Sequence, residues 1–251
     1  MPNQKYIAYL SYIDICRTLS LHTKSRIVQN ELGYETFCQP FDCFYARSFI
    51  TEETFDLKAV ADDLAEKIKT ACYPRMLSFF VEDAPENQAE ILTAAGFVPG
   101  FSQSAMAGRL DQLKSFPKPE GEGRLITPDE LEEWKTAVAT GFGREDFAVP
   151  GLYEALYSIE NVRIYGWFVD GKIVGTMMAV ENGDIRGLHE GTVQPEFRRR
   201  GIITALILQG AKDFLPKGIR TASMQGSAMG TPIYESLGFT RTGTIDTWIH
   251  P

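Results

Sequence analysis

The chain has 251 residues, of which 44% are hydrophobic and 23% are charged, a composition typical of a folded globular protein. Its formal net charge of −8 argues against nucleic acid as the partner, because a phosphate backbone is bound through a basic field. Residues 1–5 are polar, and the apolar segment 7–15 is too short and interrupted for a signal peptide or a membrane span. We therefore expect a cytoplasmic protein that does not bind a membrane.

All four cysteines lie in the first third of the chain, at Cys16, Cys38, Cys43 and Cys72. Their spacing matches no metal-binding pattern, so we expect no metal site. Unpaired thiols are the main expectation for a cytoplasmic chain, and a Cys38–Cys43 disulfide is the alternative.

The first half is predicted to begin with one long helix over residues 4–32, because apolar residues recur at helical spacing and Gly33 follows. Residues 57–71 form a clearly amphipathic helical pattern. The other predicted elements of this half are strands at 43–50, 76–81 and 101–107 and a helix at 86–95 that Gly96 ends.

Residues 114–123 are rich in proline, glycine and charge, which is typical of a linker. This segment predicts a boundary between a first domain, residues 1–113, and a second domain, residues 124–251.

The second half gives stronger local signals. Thr127 followed by Pro128 is a helix N-cap, and Asp170-Gly171 is a hairpin turn. The predicted elements are strands at 125–126, 162–169, 172–181, 184–193, 219–225 and 240–249, and helices at 128–139, 150–158, from 201 and from about 229. Their order predicts an α/β fold built on a mixed sheet.

Residues 193–206 combine a strand end, a proline turn, three arginines, a glycine and an apolar helix start. The start of a helix presents unpaired N–H groups and a positive dipole, so this segment indicates a phosphate or diphosphate site. A solvated helix start is the alternative. The residues assigned to this site are Arg198, Arg199, Arg200, Gly201, Ile202, Ile203 and Thr204.

The pattern Val193-x-Pro195-x-x-Arg198-x-x-Gly201-x-Ile203 resembles the acyl-coenzyme A loop of the GNAT acyltransferase superfamily, with Ile203 where glycine or alanine is usual. Residues 227–239, which contain Tyr234 and end in Gly-Phe, resemble the closing helix of that superfamily. The resemblance covers residues 124–250. It implies a GNAT fold, acetyl-coenzyme A as co-substrate, and a primary amine, on a small molecule or a peptide, as acceptor.

The resemblance also implies roles for individual residues. Gly191 and Val193 would pair with the pantetheine arm, and the Gly191 N–H would face the thioester carbonyl. Tyr234 would protonate the leaving thiolate. Ser227 takes the place of a frequent asparagine that contacts the pantetheine region.

The general base is open between three alternatives. His189 and Glu190 share a strand with Gly191, and His189 titrates near neutral pH without perturbation. Deprotonation through water is the third alternative. Phe142, Phe147 and Trp167 are candidates for the acceptor pocket, although core packing is the stronger expectation for Trp167.

A short repeat links the two halves. Leu92, Gly96 and Phe97 echo Tyr234, Gly238 and Phe239 in sequence spacing, whereas the first half lacks an Arg-x-x-Gly loop. We therefore expect a tandem arrangement in which the first half is a degenerate GNAT copy without a cofactor site. The alternative is that Gly-Phe is a common transition from a helix to a strand and occurs here after two unrelated helices.

Two functions remain in view: an N-acetyltransferase, and a non-catalytic GNAT module that binds acyl-coenzyme A or serves regulation. The oligomeric state stays open.

Overall fold

The structure is a computed structural model that describes residues 4–71 and 73–251. Its α-helices are α1 Ile7–His22, α2 Leu57–Thr70, α3 Gln88–Ala94, α4 Leu131–Phe142, α5 Leu152–Tyr157, α6 Ile202–Phe214 and α7 Thr231–Leu237. Its strands are β1 Ile27–Gln29, β2 Tyr34–Phe37, β3 Arg47–Ile50, β4 Met76–Phe80, β5 Val98–Arg109, β6 Glu122–Leu125, β7 Val162–Val169, β8 Lys172–Asn182, β9 Ile185–Val193, β10 Thr221–Gly226 and β11 Thr240–Ile249.

These strands form one sheet in the order β1-β2-β3-β4-β11-β5-β10-β9-β8-β7-β6. The pairs β3/β4 and β9/β10 are parallel, and the other neighbours are antiparallel. The predicted α/β fold with a mixed sheet is therefore confirmed. The predicted order of elements in the second half is also the observed order.

The two halves of the chain exchange their last strands. β11, from the second half, pairs with β4 of the first half, for example at Ile245 and Phe80. β5, from the first half, pairs with β10 of the second half, for example at Ser104 and Gly226. A single sheet therefore contains strands from both sides of the segment 114–123, and each half is completed by a strand of the other. The boundary between 1–113 and 124–251 stays a prediction.

The short repeat corresponds to a structural repeat. α3 and α7 both end at a glycine with positive φ, +92° at Gly96 and +112° at Gly238. In each case the next residue bonds back into the helix: the Phe97 N–H to the Leu92 carbonyl at 2.9 Å, and the Phe239 N–H to the Tyr234 carbonyl at 3.0 Å. β3-α2-β4-α3-β5 and β9-α6-β10-α7-β11 therefore follow the same path.

Helices cover both faces of the sheet, because strand residues alternate between faces. On β8, Met178 joins a core with residues of α1, α4 and α5, while the neighbouring Met177 joins a core with residues of α6 and α7. A third core packs α2 and α3 on the β3/β4 end.

The prediction of one helix over residues 4–32 is wrong beyond His22. Lys24 takes a left-handed conformation with φ +53°, and the β-branched pair that follows, Ile27 and Val28, lies in β1. Gly33, with φ +81°, lies in the turn between β1 and β2 instead of ending a helix. The strand predicted from residue 43 begins at Arg47, since residues 43–46 form a turn.

Cys16, Cys38 and Cys43 are free thiols, so the alternative of a Cys38–Cys43 disulfide is not realised. Cys72 lies outside the described residues. Within residues 4–71 and 73–251, no helix is both long enough and apolar enough to span a membrane.

Candidate active site

A cavity of about 540 Å³ opens where β9 and β10 diverge. Their parallel pairing ends at Leu188 and Met224, although β9 continues to Val193 and β10 to Gly226. Both halves contribute to the walls. The first half supplies Tyr12, Asp42, Cys43, Phe44, Tyr45, Met76, Phe101 and Gln103, and the second half supplies His189, Glu190, Gly191, Ile203, Ser227 and Tyr234 among others.

A β-bulge in β9 brings two neighbouring polar side chains to this cavity. Thr176 pairs with Thr192 and Met178 with His189, so Glu190 and Gly191 together lie opposite one residue of β8. Glu190 has φ +51°, a conformation that is strained for a residue with a side chain. Regular alternation would send His189 and Glu190 to opposite faces, but the bulge allows both to line the cavity.

The Glu190 carboxyl is buried and is held by a residue of the first half. The Tyr45 hydroxyl donates a hydrogen bond of 2.6 Å to Glu190 Oε1. The Thr176 hydroxyl donates to the Glu190 carbonyl at 2.7 Å, which fixes the bulge. Burial raises the pKa of Glu190 to about 7, and the Tyr45 hydrogen bond opposes that rise. This carboxyl therefore exchanges a proton near neutral pH.

His189 is less suited to accept a proton. Burial lowers the pKa of its imidazole to about 4. Its Nε2 is buried without a hydrogen-bond partner in the described structure, and a Cβ placed on Gly187 would lie 2.7 Å from this atom. The ring is thus packed closely against its own strand.

Tyr234 and Gly191 face each other across the narrow part of the cavity. A Cβ placed on Gly191 would lie 3.6 Å from Tyr234 Oη and 3.3 Å from Ile203 Cδ1. The Tyr234 hydroxyl has no hydrogen-bond partner among the described residues. Burial raises the pKa of Tyr234 to about 12, so the hydroxyl stays protonated and can donate.

The N-terminal end of α6 and the loop before it leave backbone N–H groups without an acceptor among the described residues. Arg199 and Gly201 both have left-handed backbone, with φ +63° and +80°. Gly201 is the N-cap of α6, and the first helical bond runs from the Ala205 N–H to the Gly201 carbonyl. The N–H groups of residues 199–204 have no acceptor within the described part of the chain. A Cβ on Gly201 would meet no atom within 4 Å, so this backbone faces open space. Successive free N–H groups at a helix start form an anion site.

The three arginines of this loop differ in their contacts. Arg198 donates to the main-chain carbonyls of Val193 at 3.1 Å and Gly141 at 2.7 Å, so it ties the loop to α4. Arg200 donates to the Glu196 carbonyl at 3.0 Å. Arg199 is exposed, and its guanidinium bonds to none of the described residues. Arg199 is therefore the arginine of this group whose guanidinium is held by no contact within the described residues.

The remaining predicted residues fall into two sets. Ser227 lines the cavity, and its hydroxyl accepts the Gly230 N–H at 3.1 Å where the chain turns into α7. Phe142 and Phe147 also line the cavity. Trp167 lies away from it, is 2% exposed, and donates its indole N–H to the Glu120 carbonyl. The expectation that Trp167 is a core residue is confirmed.

The sequence did not reveal the wall formed by residues 42–45. No local motif marks these residues, since they reach the site only through tertiary contacts such as the hydrogen bond from Tyr45 to Glu190. A signal was available in principle in Tyr45 and Phe44, two adjacent aromatic residues in an irregular segment.

Parallel strands that diverge next to an open helix start thus place a cavity beside an anion site on an α/β scaffold. The family described as Acetyltransferase (GNAT) domain matches residues 122–242. Residues 122–242 of the chain are thus a GNAT domain.

Solved structures share the fold over nearly the whole chain. A GCN5-related N-acetyltransferase from Kribbella flavida is 16% identical, with 99% of this chain and 97% of that chain covered and a TM-score of 0.70. A functionally unknown conserved protein from Staphylococcus epidermidis is 15% identical, with 91% and 94% covered and a TM-score of 0.71.

A tandem GNAT protein from the clavulanic acid biosynthesis pathway is 15% identical, with 76% of this chain and 68% of that chain covered and a TM-score of 0.51. These likenesses establish the fold. No curated protein matches the sequence.

Proposed function

We propose that the protein transfers an acetyl group from acetyl-coenzyme A to the primary amine of an acceptor. The observation that carries this proposal is the convergence of Glu190, Gly191 and Tyr234 at one end of a cavity. That cavity adjoins the open start of α6. A base, a close-approach glycine and a proton donor are the groups that acyl transfer from a thioester requires.

The residues around the α6 start fit the diphosphate of coenzyme A. The N–H groups of residues 199–204 and the Arg199 guanidinium would bind it, and Gly201 leaves room for its approach. Gly191 and Val193 would lie along the pantetheine arm, with Ile203 and Ser227 beside it. The bound thioester supplies an activated acetyl group at Gly191.

The protein's own groups would then move two protons. Glu190 takes a proton from the acceptor ammonium, which leaves a neutral amine as nucleophile. A carbon–nitrogen bond would form to the acetyl carbonyl, whose oxygen the Gly191 N–H would face, and the carbon–sulfur bond would break. Tyr234 would donate its proton to the departing thiolate. The nitrogen would then release its second proton through solvent to the Tyr234 oxygen, so that a neutral amide and a neutral tyrosine result. Glu190 is the preferred base over His189, because its pKa lies near neutral pH while that of His189 is about 4.

The alternative is a non-catalytic module that binds acetyl-coenzyme A in the cytoplasm without turning it over. Ile203, which stands where the resembled loop has glycine or alanine, gives this alternative some support.

Thiol release from acetyl-coenzyme A, measured against a panel of primary amines, separates the two functions. We expect release with at least one amine, and a loss of about 10²–10⁴-fold in kcat for Glu190→Gln. Glu160→Gln, which changes an exposed carboxylate, is the control and should behave like the parent. Binding of acetyl-coenzyme A without thiol release for any amine would support the non-catalytic module.

A further inference from the structure

Residues 42–45 of the first half form a wall of the cavity, and a buried arginine anchors them. Arg47 is 0% exposed, and its Nε donates to the Phe44 carbonyl. Its guanidinium also lies 4.7 Å from the centre of the Tyr12 ring. The segment has an irregular backbone, but it is held in place because Arg47, which bonds to it, is fully buried.

Phe44 and two aromatic residues of the second half pack against one another and form an apolar cluster that lines the cavity. The Phe44 and Phe147 rings stack with centroids 4.8 Å apart and an interplanar angle of 23°. The Phe142 ring lies 4.9 Å from that of Phe147. Phe142 is 42% exposed although it is large and apolar. We call Phe44, Phe142 and Phe147 the aromatic wall.

Charged groups near the aromatic wall favour a cation over an anion. Arg144 lies over the Phe147 ring at 5.1 Å and is paired with Asp146, so its charge is neutralised locally. Asp42 also lines the cavity. A cationic acceptor would therefore meet the negative charge of Asp42, which is unpaired among the described residues, beside the neutral Arg144–Asp146 pair.

The aromatic wall is continuous with the proposed base. Phe44 precedes Tyr45 in the chain, and their ring centroids are 4.3 Å apart. Tyr45 in turn donates to Glu190. A molecule that rests on Phe44 therefore has its end directed along Tyr45 toward the Glu190 carboxyl.

We propose that the acceptor is a small primary amine carried on an apolar body, which packs against the aromatic wall with its nitrogen toward Glu190. Phe44, from the first half, is then a specificity-determining residue for the second half's reaction. This proposal rests on the proposed acetyl transfer. A hydroxyl-rich acceptor such as a sugar amine would gain less from this wall, because the three rings contribute apolar contact and no hydrogen bonds.

The first test compares acceptors with the full-length protein and saturating acetyl-coenzyme A. We expect kcat/KM for 2-phenylethylamine to exceed that for glucosamine and for spermidine by at least about tenfold, from apolar contact with the rings. A preference for glucosamine or spermidine would overturn the proposed acceptor class while leaving acetyl transfer intact.

The second test removes one ring. Phe44→Ala should raise the KM for 2-phenylethylamine by about tenfold with little change in kcat or in the Kd of acetyl-coenzyme A. Phe41→Ala is the matched control: it removes a ring from the same segment that packs near Gly151 and does not line the cavity, so KM should stay at the parent value. An unchanged KM in folded Phe44→Ala, or an equal rise in both variants, would contradict a role for Phe44.

Saturation-transfer NMR measures the binding of 2-phenylethylamine to the complex of the protein with coenzyme A. This measurement distinguishes the proposed acceptor subsite from the proposed acetyl transfer. Binding that is lost in Phe44→Ala, without turnover in the parent, would retain the subsite and reject the acetyltransferase. Turnover with other amines and no binding of 2-phenylethylamine would retain the acetyltransferase and reject the subsite.

Discussion

The two halves of the chain carry the same strand-loop-helix-strand path with opposite chemistry in the loop. Between β3 and α2 the sequence is Thr-Glu-Glu-Thr-Phe-Asp, and the Asp56 carboxylate accepts the Ala59 N–H at 3.1 Å. Between β9 and α6 the loop carries three arginines and ends in Gly201, which has no side chain to cap the helix. In one half the helix start is occupied by the protein's own anion, and in the other half it is open.

In our proposal, this difference leaves the first half without a cofactor site. Glu52, Glu53 and Asp56 place negative charge where a diphosphate would have to bind, which would oppose its binding. Leu92 stands where the second half has Tyr234 and is fully buried, so the first half has no hydroxyl at the position of the proposed proton donor. The first half keeps its strand exchange and its wall of the cavity, and these are its contribution to the second half.

The largest effect is expected at Tyr234, the position that Leu92 occupies in the first half. Tyr234→Phe keeps the ring and should lower kcat by about 10²–10⁴-fold, because the thiolate loses its proton donor. The Kd of acetyl-coenzyme A should change little. Steady-state thiol release and calorimetry measure the two quantities. Tyr157→Phe serves as control, since the Tyr157 hydroxyl makes only a long bond of 3.4 Å to the Ile126 carbonyl. A Tyr234→Phe enzyme with parental kcat would show that another group protonates the thiolate.

A smaller effect is expected at Tyr45, the residue of the first half that donates a hydrogen bond to Glu190, the proposed base. Tyr45→Phe removes the donor to Glu190, which disfavours the carboxylate and raises its pKa above about 7. Activity requires the ionised base, so the acid limb of kcat/KM should move to higher pH by roughly one unit, with the plateau at high pH retained. Rates near neutral pH should then fall several-fold.

The other titratable groups around Glu190 would not account for such a shift of the acid limb. Tyr12 and Tyr153 interact with Glu190, but burial raises the pKa of both hydroxyls, so they stay neutral in this pH range. His189 has a pKa of about 4 and is neutral there. Tyr153→Phe is a matched control, because its buried hydroxyl has no hydrogen-bond partner among the described residues. A limb that moves equally in both variants, or in neither, would contradict the role of Tyr45.

The smallest effect concerns the helix cap of the first half. Asp56→Ala should lower the free energy of unfolding by about 1 kcal/mol, the usual cost of losing an N-cap. Urea denaturation measures this change. The Kd of acetyl-coenzyme A should be unaltered, because this helix start holds no ligand in our account. Glu66→Ala, an exposed change on the same helix, should fall within about 0.5 kcal/mol of the parent. A changed Kd in Asp56→Ala would mean that the two loops are not separated in function.

The sequence predicted those features that depend on local pattern. β7, β8 and β9 begin and end within a residue of their predicted bounds, because alternation and the Asp170-Gly171 turn are local signals. The start of α6 followed from Gly201 in the same way. In the first half, the prediction of a helix through Ile27 was wrong because apolar spacing did not reveal the left-handed turn at Lys24.

The strand exchange and the composition of the cavity wall could not be read from local pattern. β5 and β11 exchange places through pairings between residues more than a hundred positions apart, such as Ser104 and Gly226. The Tyr45–Glu190 hydrogen bond joins residues 145 positions apart. The bulge at Glu190 depends on the register with β8, and a single strand carries no record of that register.

The most direct test of the contrast between the halves is the stoichiometry of acetyl-coenzyme A binding to the full-length chain. Calorimetry should give one site per chain in the parent. Gly201→Glu should weaken binding by about a hundredfold or more, because it forces a side chain into left-handed backbone and adds a carboxylate at the anion site.

Gly218→Glu is the matched control for that titration, since Gly218 has φ +82° and open surroundings at the other end of α6. It should bind like the parent. Two sites per chain, or a folded Gly201→Glu protein with parental affinity, would contradict the claim that the α6 start alone receives the cofactor.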